Sequence, residues 1–307
     1  MNSAISDEIL LATLKAWHLP EPLTVQRLPG GFTSEVWLVE AKGERFIAKY
    51  AYQSREDFEG GLYAAELAEQ NGITSGAPLR TRDGALSILV EGPHGQSEPF
   101  ALLRFVPGEP LHPSEPDAAS LYGYLLGRMQ RIFLDELGER DIANLFDFIL
   151  EEDPAVAAQP GLVGLIHQTV EATRHYESQH PVTYGVIWGD RMEIVREKET
   201  GRVGVIDWGT IEYGPLLFDV ALSTLWLFPE GSAAHEEFLR AYLVETPISE
   251  SELAGLTYYK AILWARQARY FAYRVAANVM LGDSNPDGNR ENLTHSRQEL
   301  EHLLAIL

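Results

Sequence analysis

Two aspartates, each just past a short apolar run, are the residues in this chain best placed to do chemistry. They lie in Ile187-Trp188-Gly189-Asp190-Arg191-Met192-Glu193-Ile194-Val195 and in Val205-Ile206-Asp207-Trp208-Gly209. A carboxylate at the end of a strand leaves the sheet edge and can face a cleft. Two of them on paired strands suit one division of labour. Asp190 accepts or orients the proton of an attacking hydroxyl, and Asp207 binds magnesium on a triphosphate. Turn capping is the competing structural use of such residues.

A triphosphate needs further partners, and the first part of the chain offers them. Leu28-Pro29-Gly30-Gly31-Phe32-Thr33-Ser34 separates two strand-like runs. Adjacent Gly30 and Gly31 let backbone approach phosphate oxygens, and Thr33 and Ser34 add hydroxyl and N–H donors. In Phe46-Ile47-Ala48-Lys49-Tyr50, Phe46, Ala48 and Tyr50 share one strand face while Lys49 projects from the other. Lys49 then lies under the glycine loop, where a lysine pairs with phosphates. Such a lysine is usually held by a carboxylate on the following helix. Glu59 and Glu66 are spaced to lie on nearly one helical face, and the sequence does not choose between them.

The elements that must carry these residues are legible in outline. Residues 7 to 17 read as a short amphipathic helix. Strands are expected at 23–27, 35–40 and 44–50, separated by Pro29-Gly30-Gly31 and Lys42-Gly43, which predicts an antiparallel meander. Ser54 is placed to cap a helix that Gly72 ends, and further strands are expected at 86–90 and 100–105. Beyond Pro116 the apolar spacing becomes helical, with helices expected at 117–137, 141–150 and 160–178. Strands at 182–188 and 203–207 follow, separated by a turn at Glu199-Thr200-Gly201, and the last third is helical. The expected layout is an N-terminal unit over 1–103, a Pro-Gly hinge over 104–110 and a mostly helical unit over 111–307.

Composition bounds the function. Of 307 residues, 45 are Asp or Glu and 24 Lys or Arg, a formal net charge of −21, and 45% are hydrophobic. The apolar share supports a real core. The negative charge argues against nonspecific nucleic-acid and anionic-membrane binding and tolerates cationic small molecules best. The chain contains no cysteine, which removes disulfides, zinc-thiolate sites and thiol nucleophiles. Neither a leader-like N-terminus nor a long apolar stretch is present, so a soluble, cytoplasmic protein is expected.

Taken in order, these motifs make the chain resemble the aminoglycoside phosphotransferase and choline kinase-like family. The resemblance runs from the glycine loop at 28–34 through Lys49, Phe105-Val106-Pro107-Gly108-Glu109-Pro110, Trp188-Gly189-Asp190 and Ile206-Asp207-Trp208-Gly209 to Gly214-Pro215-Leu216-Leu217-Phe218-Asp219-Val220-Ala221. It implies an α+β, two-lobed protein-kinase-like fold and a phosphotransferase using ATP and Mg²⁺ on a hydroxyl of an aminoglycoside-, choline- or sugar-like acceptor. By the same resemblance Lys49 contacts phosphates, and Leu103, Arg104, Phe105 and Val106 lie at the adenine-binding hinge. Asp190 is the catalytic base, Asp207 a magnesium ligand, and Asp219 a brace for the catalytic loop.

The chain also departs from that family. Trp188 stands where the family has His, and position 195 is Val where it has a metal-binding Asn. Glu193 is the nearest chemical substitute, since a carboxylate is a harder oxygen donor than an amide. These departures motivate a second expectation, a weakened pseudokinase that binds nucleotide or a protein partner. Two other patterns are read structurally. Asp283-Ser284-Asn285-Pro286-Asp287-Gly288 opens like a calcium loop but has Thr294 where the bidentate Glu is needed. Arg266, Arg269 and Arg274 are assigned to ordinary ion pairs.

Overall fold

The computed structural model describes residues 5–29, 34–92, 95–137, 144–209, 211–278 and 286–307. The first elements along the chain are α1 (Asp7–Leu14), β1 (Leu23–Arg27), β2 (Ser34–Ala41), β3 (Glu44–Ala51), α2 (Arg55–Gln70), β4 (Pro78–Leu79), β5 (Ile88–Glu91), β6 (Ser97–Arg104) and β7 (Glu109–Pro110). Then come α3 (Ala118–Glu136), α4 (Leu145–Leu150), α5 (Pro154–Ala157), α6 (Leu162–Gln179), β8 (Tyr184–Ile187), β9 (Glu193–Arg196), β10 (Val203–Ile206) and β11 (Glu212–Pro215). Helices α7 (Leu217–Trp226) and α8 (Ala233–Glu245), a 3₁₀ turn at Glu250–Gly255, α9 (Leu256–Ala276) and α10 (Pro286–Leu304) complete it. Contacts divide the chain into two units, Met1–Leu111 with Met192–Ile211, and His112–Arg191 with Glu212–Leu307.

In the first unit the meander forms as expected, and the sheet runs β1-β2-β3-β6-β4 with β5 on β6. Alternation decides its faces. Trp37, Val39, Ala48, Tyr50, Phe100 and Leu102 pack with Leu10, Leu14 and Trp17 from the N-terminal helix and the turn after it. Ala51, Ala101 and Leu103 instead meet Phe58 and Leu62 of α2. Ser54 caps α2 by accepting the Asp57 N–H at 3.1 Å. Gly72, just past the helix, takes φ +82°, a conformation that favours glycine.

The strands expected at 182–188 and 203–207 do not pair with each other. Tyr184–Ile187 pairs with β11, and Val203–Ile206 pairs with β9, which in turn pairs with β7. The physical reason is local. The turn at 199–201, with Gly201 at φ +70°, folds 203–206 back on its immediate neighbour Glu193–Arg196. A hairpin closes at lower entropic cost than a longer connection.

The second unit is mostly helical. Gly123 and Gly127 let α3 approach α8 at backbone contact, since added Cβ atoms there would stand 2.2 Å from the Phe238 carbonyl oxygen and 2.6 Å from that of Tyr242. Among the described residues no helix is long and apolar enough to cross a membrane.

Candidate active site

Lys49 sits on β3 between Val36 of β2 and Ala101 of β6, on the face that packs toward α2. Its side chain is nearly buried, and Nζ donates to Asp207 Oδ1 at 2.7 Å. A buried ammonium needs such a partner, because its desolvation is otherwise uncompensated. Asp207 follows β10 with φ +62°, a left-handed conformation that Asp tolerates better than most residues. Its side chain remains 64% exposed. The next residue anchors it: the indole N–H of Trp208 donates to the carbonyls of Ser75 at 2.7 Å and Val205 at 3.1 Å.

The pair lines a cavity of about 400 Å³ in the first unit. Ser34, Leu103, Arg104, Phe105, Val106 and Glu193 line the same cavity. Glu193 stands opposite Ile206 in the β9–β10 ladder, one residue from Asp207. The structure thus brings Ser34, Lys49, the 103–106 segment, Glu193 and Asp207 together. Gly30, Gly31 and Thr33 lie outside the described residues, as do Asp283, Ser284 and Asn285 of the calcium-like loop. Ser75 and Gly76 also line the cavity and were not singled out from sequence. The signal in the sequence is the glycine itself, at a position that takes φ +63°.

Neither Glu59 nor Glu66 pairs with Lys49, which corrects that expectation. Glu59 accepts from the Ser87 hydroxyl at 2.7 Å and Arg55 at 3.0 Å, and Glu66 accepts from Arg80 Nε at 3.0 Å and Nη2 at 2.6 Å. The helix turns another surface toward the Asp207 segment. There Gly61 lies so close that a Cβ would meet the Gly209 carbonyl oxygen at 2.0 Å.

Asp190 belongs to the second unit, on the turn that follows β8. Buried Asp219 holds that turn by its amides: Trp188 N–H donates to Oδ2 at 2.9 Å and Gly189 N–H to Oδ1 at 3.0 Å. Gln130 reaches the Leu216 carbonyl at 2.9 Å and is itself fixed by the Tyr242 hydroxyl at 2.6 Å. Burial pushes the Asp219 carboxyl up to about 6, against the opposing effect of the two backbone N–H groups. The Asp190 carboxylate is exposed and accepts the Arg191 N–H at 2.6 Å. The arginines expected to form ion pairs do have partners. Arg266 pairs with Glu212, Arg269 with Glu151 and Asp153, and Arg274 bonds Asn289 and Tyr270.

Magnesium fits the donor set. Among the described residues no three His, Asp or Glu side chains stand together as a cage. A cation carried on a nucleotide needs only one or two carboxylates, with phosphates and waters completing its shell, and Asp207 and Glu193 are such hard oxygen donors.

The sequence matches the phosphotransferase enzyme family over residues 24–256. The chain belongs to that family. No curated protein matches the sequence. Its structural relatives are distant in sequence. Amicoumacin kinase hAmiN, solved with AMP-PNP, Ca²⁺ and Ami, superposes with TM-score 0.73 at 15% identity, over 97% of this chain and 94% of the other. Choline kinase LicA from Streptococcus pneumoniae gives TM-score 0.67 at 15% identity, over 96% and 99%. A microcompartment-associated aminopropanol kinase gives 0.66 at 14%, over 98% and 96%. The fold of this phosphotransferase-family chain is therefore α+β and protein-kinase-like.

Proposed function

We propose that this chain is a small-molecule kinase that moves the γ-phosphoryl group of Mg-ATP to an alcohol hydroxyl. The observation that carries the reading is the Lys49–Asp207 ion pair, 2.7 Å long, at the wall of a cavity of about 400 Å³ that Glu193 also lines. That volume falls in the range of small-ligand pockets. Lys49 and Ser34 contact phosphate oxygens, and Leu103 to Val106 contact adenine. Asp207 and Glu193 hold magnesium. When bound, the cation neutralises charge on the phosphates being transferred.

Asp190 orients the acceptor hydroxyl and takes its proton as the oxygen–phosphorus bond forms and the bond to the β–γ bridging oxygen breaks, releasing ADP. The chain contributes positioning and charge more than covalent chemistry. The acceptor is a small hydroxyl compound. A formal charge of −21, and relatives named for choline and aminopropanol, favour one that carries an amine. A second reading, nucleotide binding without transfer, is motivated by Trp188 and by Val195, whose apolar side chain cannot ligate a metal.

Calorimetric titration of ATP with and without Mg²⁺ tests the site. Magnesium-dependent binding is expected in the wild type and should be weakened at least tenfold in Asp207→Asn. Asp190→Asn should bind nucleotide as the wild type does while losing transfer by about 10²-fold or more. Unchanged turnover in Asp190→Asn would remove its assigned role. Binding with no transfer to any hydroxyl acceptor would favour the second reading.

A further inference from the structure

We infer that the Glu212–Arg266 ion pair is a positioning device for the turn that aims Asp190. Arg266, on α9, clamps Glu212, the first residue of β11, with both arms: Nη2 to Oε1 at 2.6 Å and Nη1 to Oε2 at 3.2 Å. The side chains are 22% and 10% exposed, so the pair is largely withdrawn from water. In the β8–β11 ladder Glu212 stands opposite Ile187, the last residue before Trp188. The pair is therefore fastened by backbone to the strand end from which the turn departs.

It also packs directly on the turn. Gly189 has φ +71°, and a Cβ placed on it would stand 3.2 Å from Glu212 Oε1 and 3.4 Å from Arg266 Nη1. The residue before Asp190 is thus held in two ways, at its amide by Asp219 and at its α-carbon by the ion pair. The guanidinium in turn lies 5.7 Å from the ring centroids of both Phe148 and Phe218. A planar fork seated among rings is rigid in a way that a lysine or an apolar side chain is not.

The choice of an ion pair calls for such a role. Withdrawing two charges from water is costly, and well-packed apolar residues often replace such pairs without loss of stability. What the pair adds is direction. Among the described residues, the exposed Asp190 carboxylate accepts a hydrogen bond from its own neighbour, the Arg191 N–H. Its orientation depends on the backbone that precedes it. A misplacement of about 1 Å in a reacting group can cost about 10²-fold in rate. The inference rests on the reading of Asp190 as the residue that orients the acceptor hydroxyl.

The test uses the full chain and two readouts. Arg266→Met keeps a long stem and removes the fork, and Glu212→Gln keeps the shape and removes the charge. In both, hydrogen exchange at the Trp188 and Gly189 amides is expected to quicken by about tenfold or more, while amides of α3 and α9 keep wild-type protection. With Mg-ATP and water as the acceptor, the rate of ADP formation is expected to fall about tenfold at saturating ATP, with KM for ATP within about twofold of wild type. Arg266→Lys, which restores charge without the fork, should recover less than half of that loss. Wild-type exchange at the two turn amides in both variants would overturn the proposal. So would protection lost throughout the second unit, which would make the pair ordinary packing. If the wild type forms no ADP from water, the exchange measurement alone decides what the pair does to the turn, and transfer to hydroxyl acceptors, not hydrolysis, decides the kinase reading.

Discussion

Asp219 shows how one buried carboxylate ties stability to chemistry. Its folded value, about 6, lies above its ordinary 3.8 because burial penalises the charged form, and the Trp188 and Gly189 amides only partly offset that. Between those values the folded chain holds a proton that the unfolded chain has released. Stability contributed by this group is therefore fully present below the ordinary value and is lost as pH rises through about 6. The brace runs the other way, since the ionised form is the better acceptor for two N–H groups. Transfer is expected to decline as pH falls below about 6, while denaturant unfolding across the same window shows a stability component that declines as pH rises. In Asp219→Asn that pH-dependent component should vanish. A wild type whose unfolding free energy is flat across this window would count against the assignment. Asp219 was legible as a brace through its motif. Its partner Gln130, 89 residues away, carried no local mark in the sequence.

At the scale of elements, the approach of α2 to the Trp208–Gly209 backbone is what places Asp207. Gly61 permits it: a Cβ would stand 2.0 Å from one carbonyl oxygen and 3.0 Å from the next, and backbone cannot yield as a flexible side chain does. Gly61→Ala is expected to cost about 1–3 kcal/mol of unfolding free energy and to weaken magnesium-dependent ATP binding. Gly60→Ala is the control. Its Cβ would meet Ile211 at 3.5 Å, an ordinary contact, so alanine should be neutral or stabilising by up to about 1 kcal/mol. Denaturant titration and calorimetry on the two variants check both halves, and equal losses would show that the close approach is not what matters. Alternation and turn residues made β1, β2 and β3 readable, and the Ser54 cap made the start of α2 readable. Strand β9 was missed because Glu193-Ile194-Val195-Arg196 is short and follows a turn, so its pairing with β10 and β7 is visible only in three dimensions.

Over the whole molecule a charge of −21 acts against compactness through self-repulsion. Salt shortens the reach of that repulsion, from about 10 Å at 0.1 M to about 3 Å at 1 M. Sodium chloride is therefore expected to raise the thermal midpoint by a few degrees over that range, and an unchanged or falling midpoint would show that local ion pairs outweigh the net charge. What the amino-acid order settled by itself was whatever depends on near neighbours. That includes the meander, the face of β3 from which Lys49 projects, the helical character of the second unit, and the places of Asp190 and Asp207 just past short strands. Such features follow from side-chain period, capping and turn chemistry, which act over a few residues. Only the tertiary structure decided that Lys49 pairs with Asp207, 158 residues away, rather than with Glu59 or Glu66. It alone joined Glu212 to Arg266, 54 residues apart, and split 184–187 and 203–206 between different sheets. Those outcomes turn on which surfaces close-pack and which charges share a site after burial, and no local pattern encodes the choice among distant partners of the same chemical type.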